Sequence, residues 1–199
     1  MLFSKTELGC NNFSINKSED NATKNEMVVC TAKAKHTTSI YNISDKCNLS
    51  DFFSSFEDGN DIEIISKGAF SMHQLVRYII SIIEGPCNIY ATTWATCEKV
   101  VSFLVNLKQS GQIKNCYFLF DHRVLKYRPN AYALFAQNFE SKILSIHAKI
   151  CVIEGQNIKI RIVGSGNWTR NDKIEIYNIS SDEEICKHHI NYITNELNI

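Results

Sequence analysis

From Leu49 onward, apolar and polar positions recur with the periods of regular structure; before it they do not. Leu49, Phe52, Phe53 and Phe56 fall at helical spacing and predict a short amphipathic helix ended by Asp58-Gly59, after which Asp61 to Ser66 alternates as a strand. The best-marked helix follows. Ser71 and Gln74 have the spacing of a capping box, Phe70 and Leu75 that of a hydrophobic staple, and Gly85-Pro86 forms the stop. Its inner stripe is Met72, Leu75, Val76, Ile79, Ile80 and Ile83, which leaves His73 and Arg77 on the solvent side. Cys87 to Thr92 reads as a strand, Ala95 to Ser110 as a helix on Val100, Val101, Leu104 and Leu107, and Lys114 to Phe120 as the next strand. Pro129 opens a helix carrying Tyr132, Phe135 and Phe139. Leu144 to Ile153 then predicts a strand, Glu154 to Asn157 a tight turn, Ile158 to Val163 the returning strand, Ile174 to Ile179 a last strand and Asp182 to Leu197 a closing helix.

The β-α-β-α-β order in the middle of the chain predicts parallel strands joined by crossover helices. The fold class is therefore α/β, with a mixed, mostly parallel sheet flanked by helices. Ligands of such sheets sit beyond the carboxyl ends of the strands. Two polar loops leave strands there, Thr92-Thr93-Trp94 and Asp121-His122-Arg123. Residues 1–48, rich in Asn, Ser, Thr and Lys, lack either period and read as a polar, poorly ordered N-terminal tail, so the folded domain is placed at 49–199.

Composition narrows the function little. The 199 residues hold 21 basic and 21 acidic side chains, so overall charge points to no polyanionic partner. Residues 1–61 carry six lysines against nine acidic residues, which leaves fifteen basic against twelve acidic in 62–199, a mild excess. The eight cysteines (10, 30, 47, 87, 97, 116, 151 and 186) form no Cys-x-x-Cys pair and read as reduced thiols of a cytoplasmic protein. Cys30, His36 and Cys47 have separations that match no common metal site, and adjacent His188-His189 share no helix face, so no metal is expected. No apolar run approaches the roughly 18 residues of a membrane span, and stable membrane association is not expected.

The chemistry concentrates between Ile143 and Asn178. On a strand from Leu144, a period of two puts His147 and Lys149 on one face, with Ile146, Ala148 and Ile150 on the other. The returning strand delivers Gly164-Ser165-Gly166-Asn167 beside them. Taken singly, a strand histidine, a surface lysine and a glycine-serine turn are ordinary. Jointly they suit a phosphoryl group: His147 as nucleophile or base, with Lys149, Ser165 and Asn167 as donors to its oxygens. The loop after Phe120 supplies His122, Arg123, Lys126 and Arg128, with Tyr127 as a stacking surface. This is the most basic segment of the chain, and it reads either as a grip on a phosphate backbone or as a solvated loop.

At these residues the sequence resembles the phospholipase D-like superfamily, whose signature is His-x-Lys, four residues, Asp, then Gly-Ser-x-Asn. Here it reads His147-Ala-Lys149, then Glu154 where the family has Asp, then Gly164-Ser165-Gly166-Asn167, with Glu175 downstream. The resemblance spans roughly residues 60 to 180 and carries one copy of a motif that the family's active sites use twice. It implies a homodimer whose two motifs face each other in one composite site. It also implies catalysis through a phosphohistidine on His147, with Lys149, Ser165 and Asn167 holding the phosphoryl oxygens and Glu175 orienting His147. No metal or other cofactor is implied, because lysine supplies the stabilising charge. Arg123, Lys126, Arg128 and Trp168 are expected to bind substrate.

A short single-motif chain with a basic loop resembles the nuclease branch more than the lipid-hydrolysing one. A metal-independent nuclease is the leading expectation, with nucleic acid as partner and DNA ahead of RNA. A phospholipase D-type lipid hydrolase is the alternative within the enzyme class, and a catalytically idle nucleic-acid-binding module the alternative outside it.

Overall fold

The computed structural model describes residues 37–43, 49–53, 60–68, 70–169 and 172–199. These form eight strands and six helices: β1 (Thr37–Ile43), α1 (Ser50–Phe53), β2 (Asn60–Lys67), α2 (Met72–Ile82), β3 (Cys87–Thr93), α3 (Glu98–Gln109), β4 (Ile113–Asp121), α4 (Arg123–Tyr127), α5 (Pro129–Ala136), β5 (Glu140–Leu144), β6 (Ile150–Glu154), β7 (Lys159–Gly164), β8 (Ile174–Ser180) and α6 (Glu183–Leu197). The strands make one sheet in the order β1-β2-β8-β7-β6-β3-β4-β5.

The α/β class expected from the sequence is present, but the sheet is not mostly parallel. Among neighbouring strands, β1·β2, β3·β4 and β4·β5 are parallel, whereas β2·β8, β8·β7, β7·β6 and β6·β3 are antiparallel. The reason is the β6-β7-β8 meander, which enters the middle of the sheet between β2 and β3. Helix α2 therefore links two strands with three others between them, while α3 makes an ordinary crossover between adjacent parallel strands.

Alternation along the strands feeds two cores. Ile89, Ala91, Phe118, Phe120, Cys151, Ile153, Ile162, Tyr177 and Ile179 face the layer made by α2, α3 and α5. Tyr90, Leu119 and Val152 face α6 through Cys186 and Ile193. Helix α2 buries Met72, Leu75, Val76, Ile79 and Ile80, each worth about 1.5–3 kcal/mol relative to exposure. At its start Gln74 Oε1 accepts the Ser71 N–H at 3.0 Å, the reciprocal half of the box. His73 is half-buried and bonds the Ser71 hydroxyl through Nδ1 at 2.8 Å; burial holds its pKa down, helped by Lys99. At the other end of the chain Asp182 caps α6, accepting the Ile185 N–H at 2.8 Å.

Two elements depart from the sequence pattern. Strand β1 comes from within the 1–48 segment and pairs along β2 from Thr37↔Asn60 to Ile43↔Ser66; residues 1–36 and 44–48, with Cys30, His36 and Cys47, lie outside the described residues. The expected helix from Leu49 is seen as α1, and 54–59 lie outside the described residues. The five described cysteines are free thiols, four of them buried.

Candidate active site

The expected strand Leu144–Ile153 is two strands with a crossing between them. Residues 145–149 have no regular structure. Sheet order explains it: β5 is the edge strand, and β6 lies on the far side of β4 and β3. The chain must cross three strand spacings, about 14 Å at 4.8 Å each, over the carboxyl ends of β4 and β3. Side chains from those strand ends pin the crossing. Asp121 Oδ2 accepts the Ile146 N–H at 3.3 Å, while the Thr92 hydroxyl donates to the Ala148 carbonyl at 2.8 Å and accepts the Ile150 N–H at 3.1 Å.

This route separates the two residues expected on one strand face. His147 is exposed, and its ring lies 6.5 Å from that of Trp94, whereas Lys149 is buried with 8% of its surface exposed. The Lys149 ammonium donates to the His147 carbonyl at 2.9 Å. Burial lowers its pKa from the ordinary lysine value; Glu175 opposes the shift and Arg123 adds to it, so both charges act on Lys149.

The Gly-Ser-Gly-Asn turn is held against β8. Gly164 N–H donates to the Lys149 carbonyl at 3.1 Å, and Ser165 N–H to the Ile176 carbonyl at 3.0 Å. Glycine is needed for the close approach: a Cβ on Gly166 would run into the Tyr177 hydroxyl, and one on Gly164 into the Ile176 carbonyl and the Tyr177 ring. The Ser165 hydroxyl bonds a carboxylate oxygen of Glu175, which is buried with 9% exposed. Asn167 is half-buried, and its Oδ1 has no hydrogen-bond partner among the described residues.

Asp121, 1% exposed, is the anchor that sequence reasoning did not assign. It receives the Arg123 guanidinium from Nε at 2.5 Å and Nη2 at 3.2 Å, together with the Arg123 N–H at 3.0 Å. Those bonds from Arg123 pull its pKa down to about 2 against the opposing effect of burial. Arg123 in turn lies over the Trp94 ring at 4.8 Å. Thr92 and Asp121 lie at the carboxyl ends of β3 and β4, with Trp94 just beyond β3, in the two segments that the strand-end rule singled out, and that placement was the available signal.

Of the expected substrate-binding residues, Arg123 and Arg128 line a cleft of about 440 Å³ with Trp94, Tyr127, Asn167 and Thr169. Lys126 is on α4 with its ammonium 5.3 Å from the Tyr127 ring, and Tyr127 is 59% exposed. Trp168 is a correction. It is fully buried and packs edge-on to Phe118 at 4.9 Å, so it belongs to the core and offers no surface to a substrate. Glu154 closes β6 at the opposite edge of the sheet and accepts the Tyr90 hydroxyl at 3.0 Å. Among the described residues no group of three or more His, Cys, Asp or Glu side chains could hold a metal.

No family model matches this sequence, and no curated protein matches it. Among solved structures, polyphosphate kinase from Porphyromonas gingivalis superposes with a TM-score of 0.56 at 14% identity, over 74% of this chain and 29% of that one. A mutant of the yeast tyrosyl-DNA phosphodiesterase matches with a TM-score of 0.36 at 10% identity, over 59% of this chain and 28% of that one. The chain thus spans under a third of the length of either protein. The first likeness shows the fold alone, an α/β architecture shared over 74% of this chain.

Proposed function

We propose that the protein is a metal-independent phosphodiesterase, a nuclease working through a phosphohistidine in a composite homodimer site. The observation that carries this reading is the meeting of His147, Lys149, Ser165, Asn167 and Glu175 at one edge of the sheet, beside Arg123. An accessible imidazole beside a buried ammonium is what nucleophilic attack on a phosphodiester requires: one group to bond phosphorus, another to hold the oxygens.

In the first step a ring nitrogen of His147 attacks phosphorus. The bond to the leaving oxygen breaks, and His147 of the second copy gives that oxygen its proton. Water then attacks the phosphorus–nitrogen bond; the second imidazole takes the water proton, and the first is released as the free base. Lys149 and Asn167 hold the non-bridging oxygens, Ser165 supports them, and Glu175 orients the ring of His147. Arg123 and Arg128, with Lys126 at the rim, draw in the backbone of a nucleic acid, DNA ahead of RNA. Positive charge comes from side chains, so the reaction proceeds without a metal.

The second copy is needed because the described residues of one chain supply a single imidazole of this kind. A two-fold axis brings the same patch of each chain together. The free, buried thiols support a cytoplasmic setting, and no described helix is long and apolar enough to cross a membrane.

The test is cleavage of labelled single- and double-stranded DNA in excess EDTA, with His147→Ala alongside. Cutting by the intact protein and a loss of at least about a thousandfold in the variant are expected. Unchanged cutting by His147→Ala overturns the mechanism. Binding without cutting at any pH from about 5 to 9 assigns the chain to the idle binding class. Light scattering at micromolar concentration is expected to give twice the 22.7 kDa chain mass; a monomer overturns the composite site.

A further inference from the structure

The cleft beside the crossing carries aromatic surface that phosphoryl transfer itself does not use. Its walls combine two guanidinium groups, Arg123 and Arg128, with the rings of Trp94 and Tyr127 and the polar side chains of Asn167 and Thr169. Its volume of about 440 Å³ lies in the range of small-ligand sites, roughly 300–1,000 Å³. We infer that this cleft is a nucleoside subsite, which seats the base next to the phosphoryl group held at His147 and Lys149. The assignment rests on the phosphodiesterase reading for its neighbour, but not for its own chemistry.

Four observations favour a base over a bare anion or a lipid headgroup. Planar groups are gathered there: Arg123 lies over Trp94 at 4.8 Å, and the Trp94 ring lies 6.5 Å from the His147 ring, tilted by 55°. Asp121 grips Arg123 through Nε and Nη2, which fixes the plane of the guanidinium as a stacking surface. Tyr127, 59% exposed, adds an aromatic face that the protein's core does not use. The cleft walls also include two residues with buried polar atoms that have no hydrogen-bond partner among the described residues, the Trp94 indole N–H, a donor, and Asn167 Oδ1, an acceptor. The edge of a base carries acceptor and donor together, as the polar ends of these two wall residues do, whereas the unprotonated oxygens of a phosphate are acceptors alone. Arg128 supplies charge for the phosphate attached to that nucleoside.

The position explains specificity. Asn167 belongs both to the phosphoryl-binding turn and to the cleft wall, so a base seated there sets the register of the phosphodiester over His147.

Trp94 is also the natural reporter. The chain has two tryptophans, and Trp168 is fully buried, so quenching on ligand binding is read from Trp94, with Trp94→Phe as the silent control. Adenosine 5′-monophosphate, ribose 5-phosphate and glycerophosphocholine are titrated into the full-length His147→Ala protein, in which binding is separated from turnover. The nucleotide is expected to bind at least tenfold more tightly than ribose 5-phosphate. Tyr127→Ala should remove most of that difference while leaving ribose 5-phosphate affinity unchanged, and Arg128→Gln should weaken both ligands. Equal affinity for nucleotide and sugar phosphate, or no effect of Tyr127→Ala, overturns the subsite; tighter glycerophosphocholine assigns the cleft to a lipid headgroup and overturns it too. Hydrolysis of bis(p-nitrophenyl) phosphate by the unmutated protein keeps the two readings apart. Nucleotide binding without any hydrolysis sinks the phosphodiesterase and leaves the subsite standing, whereas hydrolysis without base preference does the reverse.

Discussion

Strand β6 carries charge at both ends, and the two ends are built in opposite ways. At the end of Glu154 every charge meets its complement. The carboxylate accepts the Tyr90 hydroxyl and lies 3.9 Å from Lys159, while Glu183 pairs with Lys159 at 3.4 Å and with Lys187 at 2.9 Å. Such pairs are half-buried or exposed and, screened by solvent, contribute little to stability. At the end of Lys149 the ammonium is buried, its one described hydrogen bond goes to a backbone carbonyl, and its pKa is held down chiefly by desolvation. A cation kept under that penalty gains most when an anion arrives. The same residue types thus make a closed ion-pair network at one end and a receptor for negative charge at the other; burial with incomplete pairing is what separates them.

The largest break in this comparison is Lys149→Met, which keeps the length and apolar stem of the side chain and removes the charge. Transition-state charge on the phosphoryl oxygens then loses its buried donor, and kcat should fall on the order of 10²–10³-fold with the melting temperature held or raised. The intact protein should show the same dependence on pH. Lysine is active as the cation, so kcat/KM should be lost as pH rises through a Lys149 pKa lying below the ordinary lysine value, and Lys149→Met should lack that alkaline limb. A variant within twofold of the unmutated protein would break the contrast between the two ends.

A smaller effect is expected from Asp121→Asn. The carboxylate fixes Arg123 and the Ile146 N–H directly before His147, so the variant loosens both the arginine and the crossing. Turnover should fall about tenfold, and stability at neutral pH by about 1–3 kcal/mol, read from denaturant midpoints. The sign with pH follows from the lowered pKa. Asp121 contributes its full stabilisation above the unfolded carboxylate value, and that contribution is lost as pH falls toward about 2. The stability gap between the two proteins should therefore be flat from about pH 5 to 9 and close in acid.

How much of this was legible in the sequence depends on whether the information was local. Helix α2 was, because its cap, staple and stripe lie within fifteen residues of one another, and so was the β6-β7 hairpin that carries Gly164 to Asn167 back to Lys149. The parallel excess was misread because the order of elements does not say that β6-β7-β8 enters the middle of the sheet. That same topology broke the strand expected from Leu144 to Ile153: the apolar alternation fits a strand, but the residues around His147 must climb over β4 and β3. Trp168 was misplaced because its neighbours in sequence are motif residues, while its ring is claimed by Phe118 across the core. Asp121 and Trp94 look like ordinary loop residues until three strands bring them to one edge.

The smallest effect tests the quiet end of β6. Glu154 stands at the acid position of the motif, and Glu154→Gln keeps an acceptor for the Tyr90 hydroxyl while removing the charge. Five residues at about 3.3 Å each put it about 16 Å from Lys149, beyond the Debye length of about 8 Å at physiological ionic strength. Turnover should stay within twofold and the melting temperature within about 2 °C, because only a weak pairing with Lys159 is lost. Glu154→Asp is the sharper variant. It shortens the side chain by one methylene and draws the carboxylate back from Tyr90, whose ring stacks on Tyr117 at 4.8 Å and cannot follow freely. A loss of about 1 kcal/mol, or roughly 2–4 °C, is expected with turnover again unchanged. If instead either variant lowers kcat tenfold while leaving stability alone, the acid acts on the chemistry from the far edge of the sheet, and the division between the two ends of β6 fails.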